Sequence, residues 1–115
     1  MQRYNLKPVP PAKGPAGYPF LSTSEKGGSV NFNTLAVQQL DLNEGNRVEF
    51  YEDQGRLYVQ KCDNQFGFLL TTKGKGTLSL ASAEMARIIN HHFSKPDRSR
   101  YAINPQTGEV TNEAH

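Results

Sequence analysis

The sequence predicts an α+β fold: two β-α-β-β units of one chain share a small sheet or barrel, behind a flexible N-terminal tail. Three observations lead there. Short stretches alternate apolar and polar residues and are bounded by Gly, Asn, Asp or Pro clusters, as half-buried strands require. Two stretches switch to helical spacing. The order strand, helix, strand, turn, strand then occurs twice. With 115 residues there is room for one small domain. A unit of about 35 residues cannot bury its own apolar face, so two must share a core.

Residues 1–27 read as the tail. Pro8, Pro10, Pro11, Pro15 and Pro19 stand among Gly14 and Gly17 without apolar periodicity, and proline removes backbone donors and fixes φ. Tyr18, Phe20 and Leu21 form one apolar spot that could lie along a sheet edge or on the core. Ser29–Asn33 alternates, with Val30 and Phe32 on one face. Thr34–Leu40 is a helix capped by Asn33 or Thr34. Asn43–Asn46 is a turn, with Gly45 free to take a positive φ. Arg47–Glu52 and Arg56–Lys61 are strands joined by the hairpin turn Asp53-Gln54-Gly55, with Val48, Phe50, Leu57 and Val59 inward. Phe66–Thr72 reads as a strong strand with Phe66, Phe68 and Leu70 on one face. Lys73–Gly76 is a loop, and Thr77–Leu80 a short strand. Ser82–Phe93 is the best helix, with Met85, Ile88, Ile89 and His92 as its apolar stripe, Ser82 as cap and Pro96 as stop. Arg100–Asn104 and Glu109–Thr111 are strands around the Pro105–Gly108 turn, and residues 112–115 fray.

The repeat units are 28–61 and 77–111, with the 66–72 strand bridging them. The step from Arg47 to Gly55 equals that from Arg100 to Gly108, so Val48 matches Tyr101, Phe50 matches Ile103 and Leu57 matches Val110. The domain therefore spans 28–111.

In the first unit, Gly28, Val30 and Phe32 precede a helix holding Ala36 and Leu40. Leu42-Asn43-Glu44-Gly45-Asn46-Arg47-Val48-Glu49-Phe50 follows, and Gly55-Arg56-Leu57-Tyr58-Val59 returns. This stretch, about a third of the chain, resembles the swapped-hairpin domain of the AbrB, SpoVT and MazE transition-state regulators and antitoxins. The resemblance implies a domain normally built from two copies in a homodimer, so the second unit here would be an internal partner. It also implies DNA binding, through basic residues beside the first strand and on the short helix. The matching positions here are Ser29, Val37 and Gln38, all uncharged, and Asn33 stands where that family tends to have a proline.

Composition narrows the function. Thirteen Lys and Arg against eleven Asp and Glu give a net charge of +2, too small for a histone-like polycation. Hydrophobic residues make up 36% and mean hydropathy is −0.66, so part of the chain is expected not to pack. The lone Cys62 excludes a disulfide framework or a multi-cysteine zinc site. No apolar run approaches the roughly 20 residues that span a bilayer, and no signal peptide is visible, so a cytoplasmic protein without a membrane partner is the expectation. The charge is segregated. Residues 28–63 are acidic, through Asp41, Glu44, Glu49, Glu52, Asp53 and Asp63 against three basic residues. Residues 64–100 are basic, through Lys73, Lys75, Arg87, Lys95, Arg98 and Arg100 against Glu84 and Asp97.

Lys73-Gly74-Lys75-Gly76 is the most suggestive local motif. Two ammonium groups on a glycine-flexible turn can reach phosphates, or can equally protect a hairpin edge. It lacks the nucleotide P-loop pattern. His91-His92 point to different helix faces and suit the helix C-terminus better than a metal. Cys62 has no base at fixed spacing. The carboxylates Glu49, Glu52 and Asp53 fit a solvated strand face. Strand aromatics Phe66, Phe68, Tyr51, Tyr58 and Tyr101 either stack on bases or form core. The sequence thus predicts no enzyme, cofactor or metal site. It predicts a small nucleic-acid-binding or regulatory module with weak sequence specificity, contacting DNA through Lys73, Lys75, Arg98 and Arg100. The alternative is a protein-interaction or structural module, antitoxin-like or from a phage or mobile element, that kept the fold and lost the DNA contacts. A monomeric pseudo-dimer or a homodimer fits either.

Overall fold

The computed structural model describes residues 17–112, an α+β arrangement of nine strands and two helices. The strands are β1 (Phe20–Ser24), β2 (Ser29–Phe32), β3 (Arg47–Asp53), β4 (Arg56–Cys62), β5 (Phe68–Leu69), β6 (Thr71–Gly74), β7 (Thr77–Leu80), β8 (Arg100–Ile103) and β9 (Glu109–Asn112). The helices are α1 (Thr34–Gln39) and α2 (Ala83–His92). All pair antiparallel in the order β5-β3-β4-β9-β8-β1-β2-β7-β6. The two ends of that order, β5 and β6, are one stretch of chain interrupted at Leu70. There the Leu70 N–H donates to the Asn46 carbonyl at 2.9 Å, and the Leu70 carbonyl accepts from Gly45 N–H at 3.0 Å. The sheet therefore curls into a nearly closed barrel.

Alternation fills its interior. Leu21, Val30, Phe32, Val48, Val59, Leu70, Leu80, Tyr101 and Val110 are all almost wholly buried, and each large apolar side chain so buried contributes about 1.5–3 kcal/mol. Ala36 of α1 and Met85, Ala86 and Ile89 of α2 join the same core. Asn33 caps α1 by accepting from Ala36 N–H at 2.9 Å. The same oxygen accepts from Phe20 N–H at 3.0 Å, tying the cap to β1. Ser82 caps α2 by accepting from Met85 N–H at 3.0 Å. The β3–β4 hairpin turns on Gln54 and Gly55, both at positive φ (54° and 80°), as a two-residue hairpin loop requires.

The two predicted units pair with each other. Val30 lies opposite Leu80 and Phe32 opposite Leu78, symmetric about the Asn31–Ser79 pair, and Leu57 lies opposite its counterpart Val110. Val48 and Tyr101 both point into the core from corresponding strands, β3 and β8. The correspondence is looser at the hairpins. Phe50 faces Val59 whereas Ile103 faces Val110, because residues 105–108 make a longer loop than Gln54-Gly55, so the second hairpin runs two residues out of step.

Four expectations are corrected. The tail does not extend to residue 27: Phe20–Ser24 is a strand bonded on both sides, to β2 and to β8. The rest of the tail, residues 1–16, lies outside the described residues. The domain consequently begins before residue 28, and each unit gains a leading strand, β1 before β2 and β5–β6 before β7. The bridging strand does not run 66–72. Phe66 is 86% exposed, and pairing starts at Phe68, breaks at Leu70 and resumes at Thr71 in a strand that runs on to Gly74, past Lys73, both of which were expected in a loop. The α2 stripe is rotated: Ile88 is 48% exposed, and Asn90 is buried beside Met85, Ala86 and Ile89. Asn90 is accommodated because Thr23 Oγ1 and Tyr101 OH both donate to its Oδ1, at 2.8 and 2.7 Å, and its Nδ2 donates to Glu25 at 2.8 Å. Finally, Asn112 does not fray but closes β9 opposite Tyr101.

Candidate functional site

The outer face of β8, β1, β2, β7 and β6 carries one cross-strand row of polar residues. Arg100 lies opposite Ser22, Ser22 opposite Asn31, Asn31 opposite Ser79, and Ser79 opposite Thr71. Alternation produces the row directly, since Leu21, Thr23, Val30, Phe32, Leu78 and Leu80 take the inward positions. Beside it, Ser22, Thr23, Ser24, Gly27, Ser29 and Asn31 line an open cleft of about 410 Å³ whose other lining residues are Lys73 and Arg98.

The backbone aims both cations. At Lys73 the β6–β7 ladder slips by one residue: Thr72 faces Leu78 and Gly74 faces Thr77, with Lys73 opposite neither. Arg98 follows a loop held to the β1–β2 turn by Asp97. The Asp97 carboxylate accepts from Glu25 N–H at 2.6 Å, Arg98 N–H at 2.8 Å and Lys26 N–H at 3.4 Å. Arg98 takes φ +65° there. The Glu25 N–H chiefly, with the Arg98 and Lys26 N–H groups and more weakly the Arg98 charge, holds the Asp97 pKa below the ordinary carboxylate value against some desolvation.

Of the four expected contact residues, Lys73 and Arg98 meet at one cleft. Arg100 borders it through the row, its guanidinium 4.4 Å from the centre of the Phe20 ring. Lys75 does not line it; it sits exposed in the turn after β6. The strand aromatics, read as either a base-stacking surface or core, divide between core and hairpin packing. Tyr101 is wholly buried, burial pushing its phenol above the usual range. Phe68 packs edge-on against Phe50, and Tyr51 stacks on Tyr58 at 5.1 Å on the β3–β4 hairpin. The His pair sits in the last turn of α2, His92 Nδ1 lying 3.5 Å from Glu52 Oε2. Among the described residues no three His, Cys, Asp or Glu cluster as metal ligands, and no helix is long and apolar enough to cross a membrane.

No protein-family model, curated protein or solved structure matches this chain.

Sequence reasoning missed the floor of the cleft: Ser22, Ser24 and Asn31. Its signal was present in the alternation Phe20-Leu21-Ser22-Thr23-Ser24 before Gly27-Gly28, overshadowed by the neighbouring prolines. Ser29 also lines this cleft.

Proposed function

We propose that this protein is a small nucleic-acid-binding module that grips a sugar-phosphate backbone in the cleft between Lys73 and Arg98. The observation that carries the reading is their convergence, from segments 25 residues apart, on a floor of hydroxyl and amide side chains. Cations meet phosphate oxygens there, and Ser22, Ser24 and Ser29 add hydroxyl donors. Such contacts carry little base information, so binding is weakly sequence-specific and falls steeply with salt. The carboxylates Glu49, Glu52 and Asp53 lie on β3, four strands from β1 in the sheet order, and none of them lines the cleft. In this reading the barrel is a single-chain counterpart of the swapped-hairpin domain. The pairing of β2 with β7 and of β4 with β9 supports that relation.

Fluorescence anisotropy with labelled 12-nucleotide single strands and duplexes at two salt concentrations tests it. The double substitution Lys73→Ala and Arg98→Ala is expected to weaken binding equally across sequences and to flatten the salt slope by up to about two. Lys75→Ala is expected to change it by less than either single substitution in the cleft. Absence of wild-type binding at low salt overturns the reading. It would favour the protein-interaction module, for which Ile88, half exposed among Glu52, Arg87, His91 and His92, is the specific observation.

A further inference from the structure

The outer face of β3, β4 and β9 holds an aromatic pair flanked by carboxylates. Val48, Leu57, Val59 and Val110 take the inward positions. Glu49, Tyr51 and Asp53 of β3 therefore point outward with Arg56, Tyr58 and Gln60 of β4. Tyr51 lies opposite Tyr58, their rings stack at 5.1 Å, and Tyr51 is 41% exposed. On the next strand Glu109 lies opposite Tyr58. Glu49 accepts from the neutral Gln60 Nε2 at 2.6 Å, which leaves its charge in place. Arg56 lies opposite Asp53 and 3.8 Å from Glu109. Three carboxylates thus meet one guanidinium, and the patch around the rings is acidic.

The chain itself carries a segment of matching chemistry. Residues 1–16 hold Arg3, Lys7 and Lys13 and no Asp or Glu, and residues 7–13 read Lys-Pro-Val-Pro-Pro-Ala-Lys. Proline fixes φ and pre-orders an extended polyproline strand, which docks on exposed aromatic side chains at low entropic cost. The point of entry into the barrel fits as well. Ile103 N–H donates to the Pro19 carbonyl and Asn104 N–H to the Glu109 carbonyl, at 3.0 and 2.9 Å. The chain therefore enters β1 nearly level with Glu109 and Tyr58, and β4 is three strands away, about 14 Å. Pro11 stands six residues before Gly17, a reach of up to about 20 Å. Other hollows oppose a basic segment: Lys73 borders the one at Phe20, and Arg87 the one at Ile88.

We propose that residues 7–13 dock across the Tyr51–Tyr58 pair of their own chain, prolines on the rings and the two lysines toward Glu49, Asp53 and Glu109. In the polyproline form Lys7 and Lys13 lie about 19 Å apart. Glu49 and Asp53 are about 13 Å apart along β3, and the flexible lysine stems cover the difference.

A nitroxide attached at Ala12→Cys, in the full chain with Cys62→Ser, tests this by the broadening of amide signals. Strands β4 and β6 each lie three strands from β1, on opposite sides, so an unattached segment broadens both alike. Docking is expected to leave the Tyr51 and Tyr58 amides at less than half the intensity of Thr71 and Lys73. Lys7→Glu with Lys13→Glu is expected to equalise the two sides. Adding Glu49→Lys and Asp53→Lys to that variant is expected to restore the difference, and no restoration overturns the charge pairing. Equal broadening of β4 and β6 with the native lysines overturns the proposal, as does broadening centred on Lys73 or Ile88. Broadening of isotope-labelled chains by separate nitroxide-bearing chains assigns the segment to a second copy and overturns docking within one chain. A second measurement needs neither nitroxide nor Cys62→Ser. The Lys7→Glu, Lys13→Glu chain is expected to differ from the unaltered protein in the amide shifts of Tyr51, Tyr58 and Glu109, and unchanged shifts there overturn the proposal equally.

Discussion

Gly108 sits at φ +82° with its carbonyl accepting from Val59 N–H at 2.9 Å, and a Cβ added there would collide with the Val59 carbonyl. Gly45, at φ +94°, has open space around the same position. Gly108→Ala is therefore expected to cost about 2–4 kcal/mol, from backbone strain plus overlap, and Gly45→Ala about 1 kcal/mol, from strain alone. Urea unfolding of the two variants separates the contributions. Asp97 acts through charge. Its native pKa lies below the ordinary value, so the stability it provides is present above that ordinary value, near pH 4, and is lost as pH falls through the native one. Asp97→Asn is expected to lower stability at neutral pH and to make the curve shallower in that acid window, read by thermal melts from pH 2 to pH 7. The turn role of Gly108 was legible as Pro105-Gln106-Thr107-Gly108. The Asp97 carboxylate was not, because its partners Glu25 and Lys26 lie some seventy residues away.

At the scale of elements, β1 decides how the sheet closes. It hydrogen-bonds to β2 and β8 and supplies Leu21 to the core and Thr23 to the Asn90 network. A chain starting at Gly17 keeps every described element and is expected to unfold cooperatively. A chain starting at Ser29 leaves β2 and β8 with open edges and deprives the Asn33 cap of its bonds to Phe20 and Tyr18; it is expected to lose the sharp urea transition. Both helices, the Ser82 cap, an α1 cap at Asn33 or Thr34, and the hairpin at Gln54-Gly55 could be read in advance because each is specified within a few residues. The strand β1 could not, since proline-rich neighbours hid a five-residue alternation whose partners are distant. The face of α2 was misread for a related reason. Asn90 looks polar in sequence and becomes a core residue only where Thr23, Tyr101 and Glu25 meet it.

The whole molecule is a ring with two chemically different sides. The acidic segment, residues 28–63, supplies β2 to the cleft floor beside β1, which precedes that segment, while its carboxylates Glu49, Glu52 and Asp53 lie on β3 and line no part of the cleft. Segment-by-segment charge located Lys73 and Arg98 but could not show that Ser22 and Asn31 from the other half complete their site, because that juxtaposition exists only once the ring closes. Closure has a further consequence. Around the ring, ladders inside one half (β1 with β2, β3 with β4, β6 with β7, β8 with β9) alternate with ladders between halves (β1 with β8, β2 with β7, β3 with β5, β4 with β9). Residues 63–67 are the covalent link, and Phe66 within it is 86% exposed. Chymotrypsin cutting after Phe66 would sever the backbone and leave all four inter-half ladders in place. The two fragments are expected to co-elute in gel filtration, to part only in denaturant and to reassemble on its removal; immediate dissociation would contradict this. The protein would then behave as a self-complementing split pair, whose halves can be made apart, labelled separately and joined by mixing.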